Sequence, residues 1–335
     1  MSRRSSSWVR VVVINVAIAL VLIALLETAA RIYIAHTRGT ATAGLAERTR
    51  YLEYQPFIMF GDNMDRRAAT LLTDADLMAP GTFRILLVGG STAQGFPASA
   101  LERSFARRFE RWNFRVINLA QGGFNARQEL VAASVWGSML RPGMVLSLDG
   151  ANDLSHRLRM PQAGGFYLDE PYRLSLTRPF LSPLAELLRH SQLRNGIEAL
   201  MRRRRVGDVS LYVDAIPVLV AAQHGLNVLA DGMGSLRVMV LQPFVAFKEP
   251  KAAAESAFTH YAYREAVVAE LYRRTHGALA ALAQRDDVLY LDGRDIFDGN
   301  GEHIFSDDVH FVDSRGYEIL AERIAALVEA AGVMP

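Results

Sequence analysis

Short apolar segments that end in polar loops recur along this chain, and they limit its fold more than any other feature. Residues 83–88 run into Gly89-Gly90, a profile typical of a buried parallel strand that enters a tight turn. Similar patterns predict strands at residues 114–118, 144–148, 236–241 and 288–291. Segments with helical spacing separate or follow them, at residues 98–112, 128–139, 184–201, 211–229 and 314–331. This alternation predicts an α/β fold, in which helices cover both faces of a parallel sheet.

The first three predicted strands each lead into a loop that contains glycine and polar side chains. These loops include Gly89-Gly90, Gly122-Gly123 and Asp149-Gly150. The carboxyl ends of parallel strands meet at one edge of a sheet, and ligands bind beyond that edge. We therefore expect the chemistry of this protein where the three loops converge.

Composition excludes several classes of function. The chain has 335 residues, of which 50% are hydrophobic, enough for one sizeable core. It contains no cysteine, which excludes disulfides, thiolate nucleophiles and cysteine-based zinc sites. The formal net charge of +2 does not indicate nucleic-acid binding. The dense basic cluster at residues 202–205 is interpreted as a solvated helix end, with contact to anionic lipid or polysaccharide as the alternative.

The N-terminal segment is predicted to be a membrane anchor. Arg3 and Arg4 precede an apolar stretch over residues 11–26, and a spanning helix needs about 20 mainly apolar residues. A cleaved signal peptide and a buried helix are the alternatives. We favour the anchor because no small-x-small cleavage site directly follows the stretch, and Ala41-Thr42-Ala43 lies far downstream. A body tethered in this way usually lies outside the cytoplasm, so we expect a periplasmic or extracellular domain.

These patterns divide the chain into three parts. Residues 1–30 form the predicted anchor, residues 31–80 a linker and lead-in, and residues 81–335 the main domain. The stretch between the third and fourth strands is far longer than a simple crossover requires. We therefore predict a helical insertion at about residues 155–208, beside the site.

Ser91 is the candidate nucleophile in the first loop. A serine at a strand-to-helix turn lies near backbone N–H groups that can stabilise an oxyanion. The loop is not a P-loop, because Phe96-Pro97 stands where Lys-Ser/Thr is required, and Ala93 replaces the second glycine of a nucleophile elbow. A glycine-rich turn with an ordinary capping serine is the structural alternative.

His310 and Asp307 are the candidate base and its partner, in the loop before the last helix. A serine hydroxyl needs a base such as imidazole, and the imidazole needs a carboxylate that fixes its tautomer. Asp307 lies three residues before His310, Asp308 is the obvious rival and Asp313 a weaker one. A surface loop whose acidic residues cap the last helix is the structural alternative. A metal site that adds His303 fits no known zinc motif, so we expect no metal and no cofactor.

The second and third loops supply candidate oxyanion donors. The Asn152 side chain could donate an N–H, whereas Asp153 could organise the loop through backbone N–H groups. Gly122 or Gly123 would let a backbone N–H approach a substrate closely. An Asx-rich turn is the structural alternative for the third loop.

Together the four loops make the chain resemble the SGNH hydrolase family, also called GDSL-like lipases or esterases. Family members carry Ser, Gly, Asn and His in four blocks in this order, which Ser91, Gly123, Asn152 and His310 match, with Asp307 in the Asp-x-x-His block. Gly-Gly-Ser-Thr replaces the literal Gly-Asp-Ser-Leu, a departure that many relatives share. The resemblance covers about residues 83–330. It implies a three-layer, flavodoxin-like α/β/α fold, a Ser-His-Asp triad and an oxyanion hole formed by Ser91, Gly123 and Asn152.

Three functions follow as hypotheses. The first is a membrane-anchored esterase that removes acyl groups, above all acetyl, from a cell-envelope glycan or lipid. The second is an O-acyltransferase for an envelope polysaccharide that uses the same triad. The third is an inactive module that binds glycan, which would not require the three triad residues together.

Overall fold

The computed structural model describes residues 4–38, 53–55, 57–61, 64–154, 213–256 and 262–334. The chain divides into two compact units, Met1–Leu52 with Glu170–Arg205 and Glu53–Asp169 with Val206–Pro335. The described part of the first unit is one helix, α1 (Arg4–Arg38). The predicted insertion at residues 155–208, with its helix at 184–201, lies outside the described residues.

Helix α1 contains the segment that the sequence predicts as an anchor. Within it, Arg10–Ala29 form a 20-residue stretch that is apolar and long enough to cross a membrane. None of this stretch is buried, and its large apolar side chains are 46–62% exposed. The exposure does not support the buried-helix interpretation, whereas a membrane anchor and a signal sequence both fit it.

The second unit begins with an antiparallel hairpin and a helix that the sequence assigns to the linker and lead-in. They are β1 (Glu53–Gln55), β2 (Met59–Gly61) and α2 (Met64–Leu72). Phe60 is fully buried and packs edge-on against the ring of Phe124, with 5.7 Å between the ring centroids. The side chain of Gln128 donates to the carbonyl of Ile58 at 2.8 Å. The compact unit therefore starts at Glu53, earlier than the predicted boundary at residue 81.

Five parallel strands form the central sheet of this unit. They are β3 (Thr82–Gly89), β4 (Asn113–Asn118), β5 (Met144–Asp149), β6 (Leu236–Leu241) and β7 (Leu289–Asp292). Their spatial order is β4-β3-β5-β6-β7, which is the flavodoxin-like order 2-1-3-4-5. The predicted parallel sheet is confirmed, and the predicted strand ends agree with the structure to within one residue.

The remaining helices complete the three layers. In chain order they are α3 (Ser91–Gln94), α4 (Ala98–Ala106), α5 (Ala126–Ala132), α6 (Ala215–Gly232), α7 (Ala253–Ser256), α8 (Ala262–Asp286) and α9 (Ser314–Ala331). Helices α4 and α9 share one apolar core with strand residues such as Ile85, Leu146 and Val240. Helices α6 and α8 share a second core with Met239 and Leu241, whose side chains point to the other face. The strands are apolar on both faces because both faces are covered.

Two predicted helices differ from the structure in detail, and one helix was not predicted. The helix predicted at 98–112 ends at Ala106, because the chain must turn back there to enter β4. Phe109 keeps the helical spacing because it still packs on Phe105 and Phe114 from the turn. Helix α5 continues as a π-helical turn (Ala133–Gly137) and a 3₁₀ turn (Ser138–Leu140) over the predicted segment 128–139. Helix α8 is not among the predicted elements.

The hairpin offers a matched test of whether the lead-in is part of the folded core. We expect Phe60→Ala to lower the free energy of unfolding by about 3–5 kcal/mol, because the change leaves a cavity beside Phe124. Phe57 lies three residues earlier and is 81% exposed, so Phe57→Ala should change stability by less than about 0.5 kcal/mol. Urea unfolding of the two variants measures both values. A loss of stability for Phe60→Ala that is as small as the loss for Phe57→Ala would show that the hairpin does not unfold together with the core.

Candidate active site

Four loops gather at the carboxyl edge of the sheet. Ser91 opens α3 directly after β3, Gly123 follows β4, and Asn152 follows β5. The loop that contains His310 precedes α9. Strand β3 lies between β4 and β5, so the chain moves from β3 to one side of the sheet and then returns past β3 to the other side. In α/β sheets, ligands bind in the crevice at such a change of direction.

Ser91, His310 and Asp307 form a continuous chain of hydrogen bonds. His310 Nε2 lies 2.7 Å from Ser91 Oγ, and His310 Nδ1 lies 2.7 Å from Asp307 Oδ2. An ionised carboxylate only accepts hydrogen bonds, so Nδ1 carries the proton of the neutral imidazole and Nε2 keeps its lone pair. The Ser91 hydroxyl then donates to Nε2, which is the direction that a general base requires.

Asp307 is held in its ionised form. Burial raises the pKa of Asp307, but the hydrogen bond and the charge of His310, together with two backbone N–H groups, lower it below its usual value. The N–H groups of Val309 and His310 both donate to Asp307 Oδ1, at 2.9 and 2.8 Å. The rival Asp313 instead caps α9 by accepting the N–H of Arg315 at 2.8 Å. Among the predicted carboxylates, the structure thus brings Asp307 to the histidine.

Thr92, the residue after Ser91, joins the serine loop to the histidine loop. Thr92 Oγ1 donates to the carbonyl of Val309 at 3.2 Å and accepts from Gln242 Nε2 at 2.7 Å. Thr92 and Gln242 are buried, so water does not compete for these bonds. This contact fixes the position of His310 relative to Ser91.

A buried ion pair anchors the histidine loop from the other side. Lys248 Nζ lies 2.5 Å from Glu255 Oε2, and the two side chains are 1% and 0% exposed. Glu255 Oε1 accepts the N–H groups of Ile304 and Phe305, both at 2.9 Å. Burial raises the pKa of Glu255, but the hydrogen bonds from Lys248 and from these N–H groups lower it more, so the carboxylate stays charged. The loop is therefore held just before Ser306, where its turn toward His310 begins.

Asn152 is oriented toward the serine loop by a hydrogen bond to the second loop. Its Nδ2 donates to the carbonyl of Phe124 at 2.7 Å. A Cβ atom added to Gly90 would lie 2.3 Å from Asn152 Nδ2, so the amide rests against the residue before Ser91. Only glycine at position 90 permits this approach. Asp153 accepts the N–H of Ala126 at 3.3 Å, so this carboxylate organises the backbone of its neighbours.

The two glycines of the second loop differ in their hydrogen bonds. The N–H of Gly122 donates to Gln94 Oε1 at 2.9 Å. Gly123 has φ +84°, a conformation that favours glycine, and its N–H has no acceptor among the described residues. Of the two candidates, Gly123 therefore has the N–H that is available to a ligand.

Several residues that build this site were not predicted from the sequence. Thr92 and Gln242 follow the ends of β3 and β6, so their place at a strand end was an available signal. Glu255 carried no such signal, because the N–H groups of the histidine loop that it accepts, those of Ile304 and Phe305, lie 49 and 50 residues further along the chain. The basic cluster at residues 202–205 lies outside the described residues. Within the described part of the chain, no group of three His, Asp or Glu side chains could hold a metal ion.

Comparisons with known proteins add a fold-level likeness. No protein-family model matches the chain, and no curated protein matches it either. Among solved structures, an acetylxylan esterase from Geobacillus stearothermophilus is 14% identical, with a TM-score of 0.45 over 75% of this chain and 96% of that one. The acetyl xylan esterase AlAXEase is 11% identical, with a TM-score of 0.44 over 75% and 100%. A GDSL-like lipase from Bacteroides thetaiotaomicron is 13% identical, with a TM-score of 0.42 over 80% and 98%. Similarity at this level says nothing about the substrate of this chain.

The ion pair under the histidine loop yields a prediction about stability and pH. We expect Glu255→Gln to lower the free energy of unfolding at pH 7 by about 3 kcal/mol or more, because it leaves the Lys248 charge buried without its partner. Glu249→Gln is the matched control: that side chain is 72% exposed in its ion pair with Lys251, and the expected loss is below about 1 kcal/mol.

The pH dependence of the Glu255→Gln effect follows from the lowered pKa of Glu255. Stability contributed by such a carboxylate is present above its unfolded pKa of about 4.3 and is lost as the pH falls through the lowered folded value. The difference in the free energy of unfolding between wild type and Glu255→Gln, measured by urea unfolding, should therefore become smaller below about pH 4. A difference that is small at pH 7, or that grows in acid, would show that Glu255 is not a charged partner of Lys248.

Proposed function

We propose that this protein is a serine esterase of the SGNH type, which hydrolyses acyl esters with Ser91 as nucleophile. The proposal rests on one observation, the chain of 2.7 Å contacts from Ser91 Oγ through His310 to Asp307. A structural role for Ser91 would need neither the imidazole nor its carboxylate. The order of the four loops, which resembles that of the SGNH family, supports the same conclusion.

The proposed reaction begins with proton transfer. His310 Nε2 takes the proton from Ser91 Oγ as the oxygen attacks the carbonyl carbon of the ester. Asp307 stabilises the imidazolium that forms and keeps Nδ1 protonated throughout. Because Thr92 joins the two loops, little reorganisation is required at this step.

The negative charge that develops on the carbonyl oxygen needs hydrogen-bond donors. We assign this role to the N–H groups of Ser91 and Gly123 and to the Asn152 amide. An amide nitrogen carries two hydrogens, and the contact with Phe124 uses one of them to orient the group. Donors that are fixed before the reaction stabilise the transition state more than mobile ones.

Collapse of the tetrahedral intermediate releases the alcohol, to which His310 returns the proton. The acyl-enzyme is then hydrolysed by a water molecule that His310 activates in the same way. Acyl transfer to a sugar hydroxyl would use the same residues and would differ only in the acceptor.

The substrate is proposed to lie in the cell envelope. The 20-residue apolar stretch of α1 is long enough for a membrane anchor, which supports this proposal. We place the catalytic domain on the periplasmic or extracellular side of that anchor. Acyl esters, and acetyl esters first among them, on an envelope glycan or lipid would then be within reach. No nucleic acid is expected as a partner.

Replacement of the nucleophile or the base tests the proposal. We expect Ser91→Ala and His310→Ala each to lower kcat/KM for p-nitrophenyl acetate by about 10,000-fold or more. Ser134→Ala and His303→Ala remove an exposed serine and an exposed histidine, and each should stay within about twofold of wild type. A fluorophosphonate probe should label wild type but not Ser91→Ala.

Several outcomes contradict the esterase. Folded wild-type protein that neither turns over aryl esters nor reacts with the probe would favour a glycan-binding module. Labelling at Ser91 with acyl transfer to an added glycan, and without hydrolysis, would identify a transferase.

The oxyanion assignment makes a separate prediction. We expect Asn152→Ala to lower kcat by about 100- to 1,000-fold with a smaller change in KM, because the lost donor acts mainly in the transition state. Asn300→Ala, in a surface turn after β7, is the control and should leave both constants unchanged. Steady-state kinetics on p-nitrophenyl acetate measure both variants. An unaltered kcat for Asn152→Ala removes this residue from the oxyanion hole.

A further inference from the structure

Two carboxyl groups lie in contact beneath the candidate oxyanion loops. Glu129 belongs to α5 and is 0% exposed, and Asp149 is the last residue of β5 and is 4% exposed. The two groups are neighbours, since the charge of Asp149 and a hydrogen bond with it both raise the pKa of Glu129. Two ionised carboxylates would repel strongly in such a position, since water is excluded from both.

The partners of the two groups differ. The side chain of Gln223 donates through Nε2 to Asp149 Oδ2, and Gln223 Oε1 accepts in turn from Ser147 Oγ at 3.0 Å. By contrast, both oxygens of Glu129 are buried, and neither meets an N–H or O–H donor among the described residues. Asp149 thus accepts a hydrogen bond from a neighbouring side chain, whereas no hydrogen-bond donor among the described residues would stabilise a negative charge on Glu129.

The guanidinium of Arg237 carries one positive charge, which can balance one of the two carboxylates but not both. Arg237 is 3% exposed and bonds to Ser147 Oγ at 2.8 Å and to Gln223 Oε1 at 2.5 Å. Burial lowers the pKa of Arg237 to about 10, so it stays charged at neutral pH. Its charge lowers the pKa of both carboxyl groups.

The pKa of Glu129 is nevertheless raised well above its usual value, by burial, by the charge and hydrogen bond of Asp149 and by the charge of Asp153. Burial also raises the pKa of Asp149, although hydrogen bonds from its neighbours, Glu129 among them, oppose the rise.

The pair lies where the second and third loops are joined. Asn152 donates to the carbonyl of Phe124, and Asp153 accepts the N–H of Ala126 at the start of α5. Glu129 is one turn further along α5, and Asp149 lies three residues before Asn152. Asn152 and Asp153 follow β5 in the chain. A hydrogen bond between Glu129 and Asp149 would therefore be a third contact between residues 124–129 and residues 149–153.

We propose that Glu129 is a protonated carboxylic acid that donates a hydrogen bond to the Asp149 carboxylate and so positions Asn152 and Gly123. Glu129 acts through these residues and touches no substrate. The role in activity rests on the proposed esterase function, whereas the protonation of Glu129 does not.

Infrared spectroscopy tests the protonation directly. Burial also raises the pKa of Asp153 to about 8, so this residue contributes a carboxylic-acid band of its own at pH 7. The difference spectrum between wild type and Glu129→Gln at pH 7 should therefore contain a further carbonyl stretch of a buried carboxylic acid, which shifts in D2O. Glu110→Gln, which changes an exposed glutamate, should leave the band in place. A difference spectrum without this band would overturn the proposal, whether or not the protein proves to be an esterase.

Stability against pH gives a second test. A raised folded pKa means that the stability contributed by protonated Glu129 is complete below about pH 4.3 and declines as the pH rises toward the folded value. Glu129→Gln cannot ionise, so its unfolding equilibrium constant should fall steadily relative to that of wild type as the pH rises above about 4.3, by up to about tenfold per pH unit. A constant ratio across this range would show that Glu129 is ionised in the folded protein.

Rescue by the conservative variant tests the positioning role. Glutamine can still donate an N–H to Asp149, so Glu129→Gln should keep kcat within about threefold of wild type. Glu129→Ala cannot donate, and we expect kcat to fall by about 10- to 100-fold with little change in KM. If Gln and Ala lower kcat equally in folded proteins, the hydrogen bond does not position the site. If wild type is inactive while the infrared band is present, the esterase fails and the protonated pair stands.

Discussion

The hydrogen bond between Ser91 Oγ and His310 Nε2 joins residues that lie 219 positions apart, and it depends on the parallel sheet. Parallel pairing places the ends of β3, β4 and β5 at one edge, so three loops reach the same place whatever their separation along the chain. The histidine loop belongs to a distant part of the chain, just before α9. The hydrogen bond from Thr92 to the carbonyl of Val309 holds this loop beside Ser91. Ser91 follows β3, where the order β4-β3-β5 changes direction, and sheets of this kind bind their ligands at such a point.

Two buried pairs support the site, and they illustrate opposite solutions to one electrostatic problem. A charge that leaves water must be matched by an opposite charge and by hydrogen bonds. Lys248 and Glu255 meet both conditions, since Glu255 also accepts backbone N–H groups. Glu129 lacks a hydrogen-bond donor among the described residues and lies beside Asp149, so the proton proposed on Glu129 avoids a poorly compensated buried charge.

The proposed chemistry does not depend on which acceptor takes the acyl group. Ser91, His310 and Asp307 would form the same acyl-enzyme for a hydrolase and for a transferase, because the two reactions diverge only when the acceptor arrives. The difference between water and a sugar hydroxyl as acceptor is set by the groups that surround the acyl-enzyme. The triad geometry therefore supports the reaction class, and the acceptor is a question for product analysis.

The sequence by itself determined the fold class, the strand positions and the four loops of the candidate site. These features are local: an apolar run reports a buried strand, and the chain order of strands and helices reports a parallel sheet. Tertiary structure decided that the carboxylate of Asp307 contacts His310, that the hydrogen bonds of Gly122 and Gly123 differ, and that Phe60 packs against Phe124. It also brought Thr92 to Gln242 and Glu129 to Asp149. Each of these depends on a contact between segments that are distant in the chain or on the direction of one side chain, and no local pattern encodes either.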